Sequence, residues 1–233
     1  MSLITVENLS FRYPGGQKAL RDISLSIDAG EKVAIVGANG AGKSTLLYHF
    51  NGTLAQSASV RIGDLPVIQK NLTTIRRQVG MVFQNPDDQL FLHSIFEDVA
   101  FGLRNMGISG EDIPALISST LKTVGLEGYE ERSAATLSVG EKKRAALATV
   151  LAMSPSVLCL DEPVAALDPR GRRKLKRLLK TLPMTMVIIS HDLGIVSSLC
   201  SRVFILHRGT LAAQGDPEIL LKDRDLLSKV GLY

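Results

Sequence analysis

The chain of 233 residues holds only two cysteines, Cys159 and Cys200, too few for a disulfide framework. Cys159 lies in an apolar run, where a free thiol behaves as a small buried hydrophobe, and a reducing cytosol is the expectation. Long hydrophobic runs are also missing. A membrane-crossing helix needs ~20 apolar residues, and the longest run here, AALATVLAM at 145–153, is far shorter, so any membrane role is expected to be peripheral. The opening MSLITVENLS has no basic head and no long apolar segment, so no signal peptide is expected. The net charge of +4 is too small a surplus to imply nucleic acid by itself. Much of that surplus sits in RGRRKLKRLLK (170–180), which lacks interleaved aromatics and reads as a solvated helix face. There is no internal repeat, no low-complexity segment and no linker.

What remains is an ordinary globular composition, 45% hydrophobic and 21% charged, enough to bury a real core. ISLSID (23–28) alternates apolar and polar residues as a half-buried strand does. KVAIVG (32–37) is continuously apolar, as in a strand covered on both faces. KSTLLYHFNG (43–52) reads as a helix, and SVRIGD (59–64) and QVGMVFQ (78–84) as strands. The stretch 92–153 has no comparable strand run and reads as helical. Further strands are expected at SVLCLDEP (156–163) and MVIIS (186–190), helices at RKLKRLLK and DLGIVSSLC, and a terminal hairpin at RVFILHRG and TLAAQG. Alternation of strand and helix predicts a parallel α/β core, here with a helical insertion.

Three motifs carry chemistry. The first is GANGAGKST: Gly37, Ala38, Asn39, Gly40, Ala41, Gly42, Lys43, Ser44 and Thr45. It matches the phosphate-binding loop G-x-x-x-x-G-K-[ST]. A chain of this length would match by chance about once in a hundred, and the match sits between a buried strand and a helix, as the loop requires. Its glycines let backbone N–H groups turn inward around phosphate, and the helix N-terminus adds positive potential. Lys43 would hold the β- and γ-phosphates and Ser44 would bind Mg²⁺. The second motif is VLCLDE (157–162), an apolar strand ending in two carboxylates. Beside a phosphate loop, Asp161 belongs on the metal, and Glu162, pointing to the other side of the strand, can act as general base on the attacking water. The third is LSVGEKKRAALA (137–148). Ser138 and Glu141 form S-x-x-E, a capping box opening a helix, and Gly140 leaves room for phosphate at a second helix N-terminus.

With the third motif in place the chain resembles the ATP-binding-cassette (ABC) ATPases, whose signature is usually LSGGQ. The resemblance covers nearly the whole chain. It implies an α/β P-loop NTPase fold: one ABC nucleotide-binding domain over 1–233, with a mixed sheet core, an antiparallel β subdomain and a helical subdomain at about 88–153. It implies ATP with Mg²⁺, bound by two domains head to tail, so that Ser138, Gly140 and Glu141 serve the nucleotide held by the partner. Tyr13 in FRYPGG matches the aromatic that stacks on adenine. Gln84 matches the loop glutamine that contacts Mg²⁺ and the water. Asp168 ends the segment ALD (166–168) that crosses the dimer, and His191 matches the histidine that contacts the γ-phosphate. There are departures: Val139 replaces a signature glycine, Glu141 replaces the glutamine, and DEPVAALD stands where DEPTAGLD is usual. No catalytic position is missing.

FQNPDDQLF (83–91) resembles one branch in particular, the ATPases of cobalt and nickel importers and of energy-coupling-factor vitamin importers. In that family the loop lies beneath a transmembrane partner, and the sequence predicts an acidic loop tip beside an exposed apolar pair, Leu90 and Phe91. The implied partners are a second ABC ATPase subunit, identical or related, and transmembrane transporter subunits. The implied location is the cytoplasmic face of the cell membrane, peripherally, with no nucleic acid partner. A soluble ABC ATPase acting on nucleic acid or ribosomes is the competing reading, and many of those carry two cassettes or a coiled-coil insertion that this chain lacks. A small-molecule P-loop kinase is disfavoured by the signature helix.

Overall fold

The computed structural model describes residues 2–54 and 57–232. Two sheets organise them. In the smaller, strands β1 (Ser2–Arg12), β2 (Lys18–Asp28), β4 (Ser57–Ile62) and β5 (Leu65–Val67) pair antiparallel in the order β2-β1-β4-β5. In the larger, β3 (Lys32–Val36), β6 (Val79–Val82), β7 (Val157–Asp161), β8 (Thr185–Ile189), β9 (Arg202–His207) and β10 (Thr210–Gly215) take the order β10-β9-β3-β8-β7-β6. All its neighbours run parallel except β10 against β9, so the sheet is mixed.

Strand β1 carries no clear alternation in the sequence, and that of β2 begins only at Ile23. The structure shows why. Pairing runs Val6 with Leu25 and then Leu9 with Ile23, skipping a residue, and Asn8 and Asp22 both adopt a left-handed φ of 49°. These irregularities shift the inward side chains from Ile4 and Val6 to Leu9, and from Leu20 to Ile23, so the period-2 pattern breaks inside a continuous strand.

The larger sheet is covered on both faces. One face packs Ala34, Val36, Leu158, Leu160, Ile188 and Ile205 against helices, and the other packs Val33, Ile35, Cys159, Val187, Ile189 and Phe204 against the small sheet and α1 (Lys43–Phe50). Alternate residues of each strand feed alternate cores, which is why these runs are apolar throughout. Phe50 and Phe204 are completely buried, each worth roughly 1.5–3 kcal/mol of transfer free energy.

A short helix, α2 (Leu72–Gln78), precedes β6. Between β6 and β7 the chain forms α3 (Ile95–Asn105), α4 (Ile113–Thr123) and α5 (Val139–Leu151). The first two bury a helical stripe: Ile95, Val99 and Leu103 in α3, Ile113, Ile117 and Leu121 in α4. Basic α6 (Pro169–Thr181) buries only Leu175 and Leu179 and leaves its cations in solvent. The chain closes with α7 (Leu193–Leu199), α8 (Pro217–Leu220) and α9 (Arg224–Lys229).

Close approach of α5 to β6 depends on Gly80. A Cβ there would run into Val150 Cγ1 and sit 3.2 Å from Pro155 Cγ. Gly80→Ala is therefore expected to destabilise the fold by about 1–3 kcal/mol through overpacking. Urea unfolding midpoints should show this, with a smaller penalty for the same substitution in a Val150→Ala background.

Candidate functional site

The carboxyl ends of β3, β8, β7 and β6 lie side by side, and the residues just beyond them line one cavity of about 720 Å³. Lys43, Ser44 and Thr45 enter from the loop after β3, His191 from the end of β8, Asp161 and Glu162 from β7, and Gln84 from the end of β6. Tyr13, Asn39, Gly40 and Gly42 also line it, with Gln17, Val164 and Arg172 among the others. Gly37, Ala38 and Ala41 stand behind them as backbone scaffold, with Gly37 and Ala41 buried.

Two of the loop glycines are required sterically. Gly37 has φ 157° and its missing Cβ faces the backbone carbonyl of Leu206, while Gly42 has φ 102° and a Cβ there would lie 2.7 Å from the Ala19 carbonyl oxygen. Gly42 also opens α1 with no side-chain cap and no acid in the first turn, so the first amides of the helix face the cavity unclaimed by side chains. Lys43 Nζ donates to the carbonyls of Gly37 (2.8 Å) and Ala38 (3.0 Å), which holds the ammonium at the loop's mouth. Burial lowers its pKa, opposed by Glu162 and Asp161. The Tyr13 hydroxyl is 3.0 Å from Thr45 Oγ1, and its ring meets Phe11 edge to face at 5.0 Å.

Asp161 is buried, and its Oδ2 accepts from the Tyr48 hydroxyl at 3.1 Å. Burial first, then the Asp161 charge, pushes the Tyr48 phenol up to about 12. Glu162 adopts φ 47°, a left-handed conformation that a non-glycine residue takes at a cost of about 1–3 kcal/mol. Its Oε2 accepts from the His191 backbone amide at 3.3 Å. Its Oε1 is buried without a hydrogen bond, although His191 Nε2 stands 3.4 Å away, within ion-pair distance. Burial pushes the Glu162 carboxyl above the usual glutamate range, offset in part by His191 and Lys43. A carboxylate oxygen so placed in a polar cavity is chemically able to hold a water or take a proton.

The remaining sequence-predicted residues lie elsewhere. Ser138, Gly140, Glu141 and Asp168 line a separate cavity of about 420 Å³ with Arg144 and Arg170. Ser138 and Glu141 form both arms of the capping box of α5: Ser138 Oγ accepts from the Glu141 amide at 3.4 Å, and Glu141 Oε2 accepts from the Ser138 amide at 2.9 Å. Tyr129 donates to Glu141 Oε1 at 2.8 Å. Asp168 caps α6, accepting from Gly171 N. Within one chain these groups do not meet Lys43 and Glu162 in a shared cavity.

The loop 83–91 corrects one expectation. Leu90 is buried, not exposed: its amide donates to the Pro86 carbonyl at 2.9 Å, turning it into the core beside Ile95 and Val99. Phe91 alone of the pair faces outward, 64% exposed, and meets exposed Phe101 of α3 edge to face at 5.7 Å. The buried carboxylate of Asp98 fixes this arrangement by accepting from the amides of Phe91 and Leu92, both at 3.0 Å. Asp87 pairs with Lys142 at 2.6 Å, so one of the two loop acids is already matched. Sequence reasoning also missed Lys143, a lysine that is only 7% exposed, on α5. Its position among the alanines of the inward stripe, KRAALA, was the available signal.

A family model described as ABC transporter matches residues 20–165, more than half of the chain. A putative ABC transporter ATP-binding protein of Gloeobacter violaceus is 49% identical over 98% of this chain and 95% of its own length. The energy-coupling factor transporter ATP-binding protein EcfA of Methanothermobacter thermautotrophicus is 43% identical over 99% of this chain and 76% of its own length. Among solved structures, cbiO1 from Clostridium perfringens, described as part of the ABC transporter complex cbiONQ, superposes with TM-score 0.85 at 39% identity, over 99% of this chain and 95% of that one. A dimeric ATP-binding cassette in a post-hydrolysis state bound to ADP and Pi gives TM-score 0.82 at 29% identity, over 92% of this chain and 98% of that one.

The Glu141 carboxylate is held at about 2, chiefly by the hydrogen bonds from Ser138 and then by Tyr129. A depressed folded-state pKa stabilises the fold fully above the ordinary glutamate value of 4.5 and loses that contribution as pH falls toward 2. Wild type should therefore melt above Glu141→Gln at pH 7, and the gap should close between pH 4.5 and about 2 in thermal melts.

Proposed function

This chain belongs to the ABC transporter family, and we propose that it is the ATPase subunit that drives an importer of the energy-coupling-factor or cobalt–nickel type. Members of the family hydrolyse ATP, and the chain is read accordingly as an ABC-type ATPase. The observation that carries the catalytic reading is the buried, unbonded Oε1 of Glu162 in the same cavity as Lys43. In this reading residues 1–233 form one nucleotide-binding domain, with the helices of about 88–153 inserted in its core.

Hydrolysis by such a site is positioning plus charge stabilisation. Residues 37–45 cradle the phosphates with backbone amides, and Lys43 exchanges its carbonyl partners for β- and γ-phosphate oxygens. Tyr13 supports the base. Ser44, Gln84 and Asp161 are an all-oxygen donor set on one cavity wall, with a single carboxylate among them, which fits Mg²⁺ rather than a softer metal. Bound there, Mg²⁺ would neutralise phosphate charge. Glu162, with its raised pKa and free oxygen, orients the water and takes its proton, and His191 reaches toward the γ-phosphate. Ser138, Gly140, Glu141 and Asp168 sit apart from this cavity, as groups that complete the site of a second ATPase subunit in trans would.

The relatives named for energy-coupling-factor and cbiONQ complexes support the importer branch. The Phe91–Phe101 pair is an exposed aromatic patch of the kind that receives a partner helix, here from a transmembrane subunit. Such a partner accords with a peripheral position at the cytoplasmic face of the membrane. Among the described residues no helix is long and apolar enough to cross a membrane itself.

Glu162→Gln is expected to bind ATP and turn over at least about a hundredfold more slowly, and Lys43→Ala to lose ATP affinity by calorimetry. Wild-type turnover in the first, or unchanged binding in the second, overturns the site. Tagged protein drawn from gently solubilised native membranes should bring down small membrane proteins, identified by mass spectrometry. Phe91→Ser with Phe101→Ser should lose them while keeping the ATPase rate of the isolated subunit. Recovery of ribosomal or nucleic-acid-bound proteins instead would point to a soluble ATPase.

A further inference from the structure

We propose that Lys143 is a positioning residue for ATP hydrolysis, fastening the loop that carries Gln84 to the backbone of Glu162. The proposal rests on the reading of Glu162 and Gln84 as the groups that hold the water. Lys143 Nζ donates to the carbonyl of Glu162 at 2.9 Å and to the carbonyl of Gln84 at 3.2 Å. One ammonium thus joins three elements: the signature helix α5, the end of β7 and the segment after β6. It touches neither side chain directly; it holds the backbone from which the two side chains depart.

The choice of a lysine here is costly. A buried ammonium is expensive to desolvate, and an apolar side chain would serve plain packing between α5 and β7 better. What the ammonium supplies is two directed bonds to carbonyls that face an otherwise apolar wall. One of those carbonyls belongs to the left-handed residue Glu162, where a fixed carbonyl direction also fixes the side chain's exit.

The neighbours of Lys143 extend the fastening. Lys142 pairs with Asp87 at 2.6 Å. Gln89 lies inside the loop, donating to the Ala146 carbonyl at 2.9 Å and to Thr149 Oγ1 at 2.7 Å, while its Oε1 accepts from the Phe83 amide at 3.2 Å. Residues 83–89 are therefore stitched along α5, and Lys143 is the stitch that reaches the catalytic strand. A partner seated on exposed Phe91 would pull on a loop whose position Glu162 senses through one side chain.

The test compares Lys143→Met, Lys143→Arg and the double variant Lys143→Met/Glu162→Gln, using the full chain. Each is checked by thermal melt, ATP affinity by calorimetry and steady-state turnover. Lys143→Met should lower kcat by about tenfold or more with ATP affinity unchanged, because misplacement of a reacting group costs rate rather than ground-state binding. Lys143→Arg, which keeps the charge and donors, should recover part of the loss. The double variant should lose less than the two single losses combined, since the Glu162 side chain that Lys143 helps to position is already disabled. A structural lesion would slow both backgrounds equally. Turnover within twofold of wild type in Lys143→Met, or an additive loss in the double variant, overturns the proposal. If Lys143→Met does not fold, Lys143→Gln replaces it with the same expectations and the same overturning results. Glu162→Gln run alone separates the two readings. Wild-type turnover in it removes the Glu162 assignment and this proposal together. A slow Glu162→Gln beside a fast Lys143→Met removes only this proposal.

Discussion

The parallel pairing of β3, β8, β7 and β6 is the constraint on which the rest of the molecule depends. Parallel strands aligned in register end at one edge, so the loops leaving neighbouring strands emerge side by side. A phosphate loop, a histidine, two carboxylates and a glutamine that are far apart in the chain thereby share one cavity. Both sheet faces must be covered for such strands to survive in water. The helices and the small antiparallel sheet supply that cover.

Lysines bonded to main-chain carbonyls are the second recurring device. Lys32, Lys43 and Lys143 each donate to a pair of main-chain carbonyls: Leu179 and Lys180, Gly37 and Ala38, Gln84 and Glu162. Burial lowers the pKa of all three. For Lys32 the carbonyls belong to the C-terminal end of α6, where a cation also meets the negative end of the helix dipole. For the other two the carbonyls belong to residues that line the cavity at the strand ends or to the loop behind it. The same bond type that satisfies a desolvated ammonium also ties together backbone segments beside that cavity.

The second cavity, around Ser138 and Asp168, has the opposite character. Its residues are caps at helix starts, held by local hydrogen bonds and open to solvent on one side. ABC ATPases dimerise and work with transmembrane components. Residues held mainly by capping bonds within their own helix starts keep their arrangement without a second chain. The exposed Phe91–Phe101 pair shares that independence, anchored from beneath by the Asp98 carboxylate.

Local chemistry wrote much of this into the sequence. The loop 37–45 is legible because only glycine tolerates the backbone of Gly37 and Gly42, and the capping box because Ser138 and Glu141 need nothing beyond four residues to form it. The core strands are legible because burial on both faces demands unbroken apolar runs. Other features needed the tertiary structure. The bulged pairing at Asn8 and Asp22 hid β1, since a skipped residue reverses which side chains face inward. Leu90 and Phe91 are chemically alike, and only the turn at Pro86 and the Asp98 carboxylate send one inward and the other out. Lys143 reads as one basic residue in a basic helix start, and its two carbonyl partners lie 59 and 19 residues away in the chain. Sequence by itself determined the features that depend on neighbours within a turn or a strand. Tertiary structure decided which strand ends adjoin and which side chains are buried, because those depend on contacts whose partners no local pattern names.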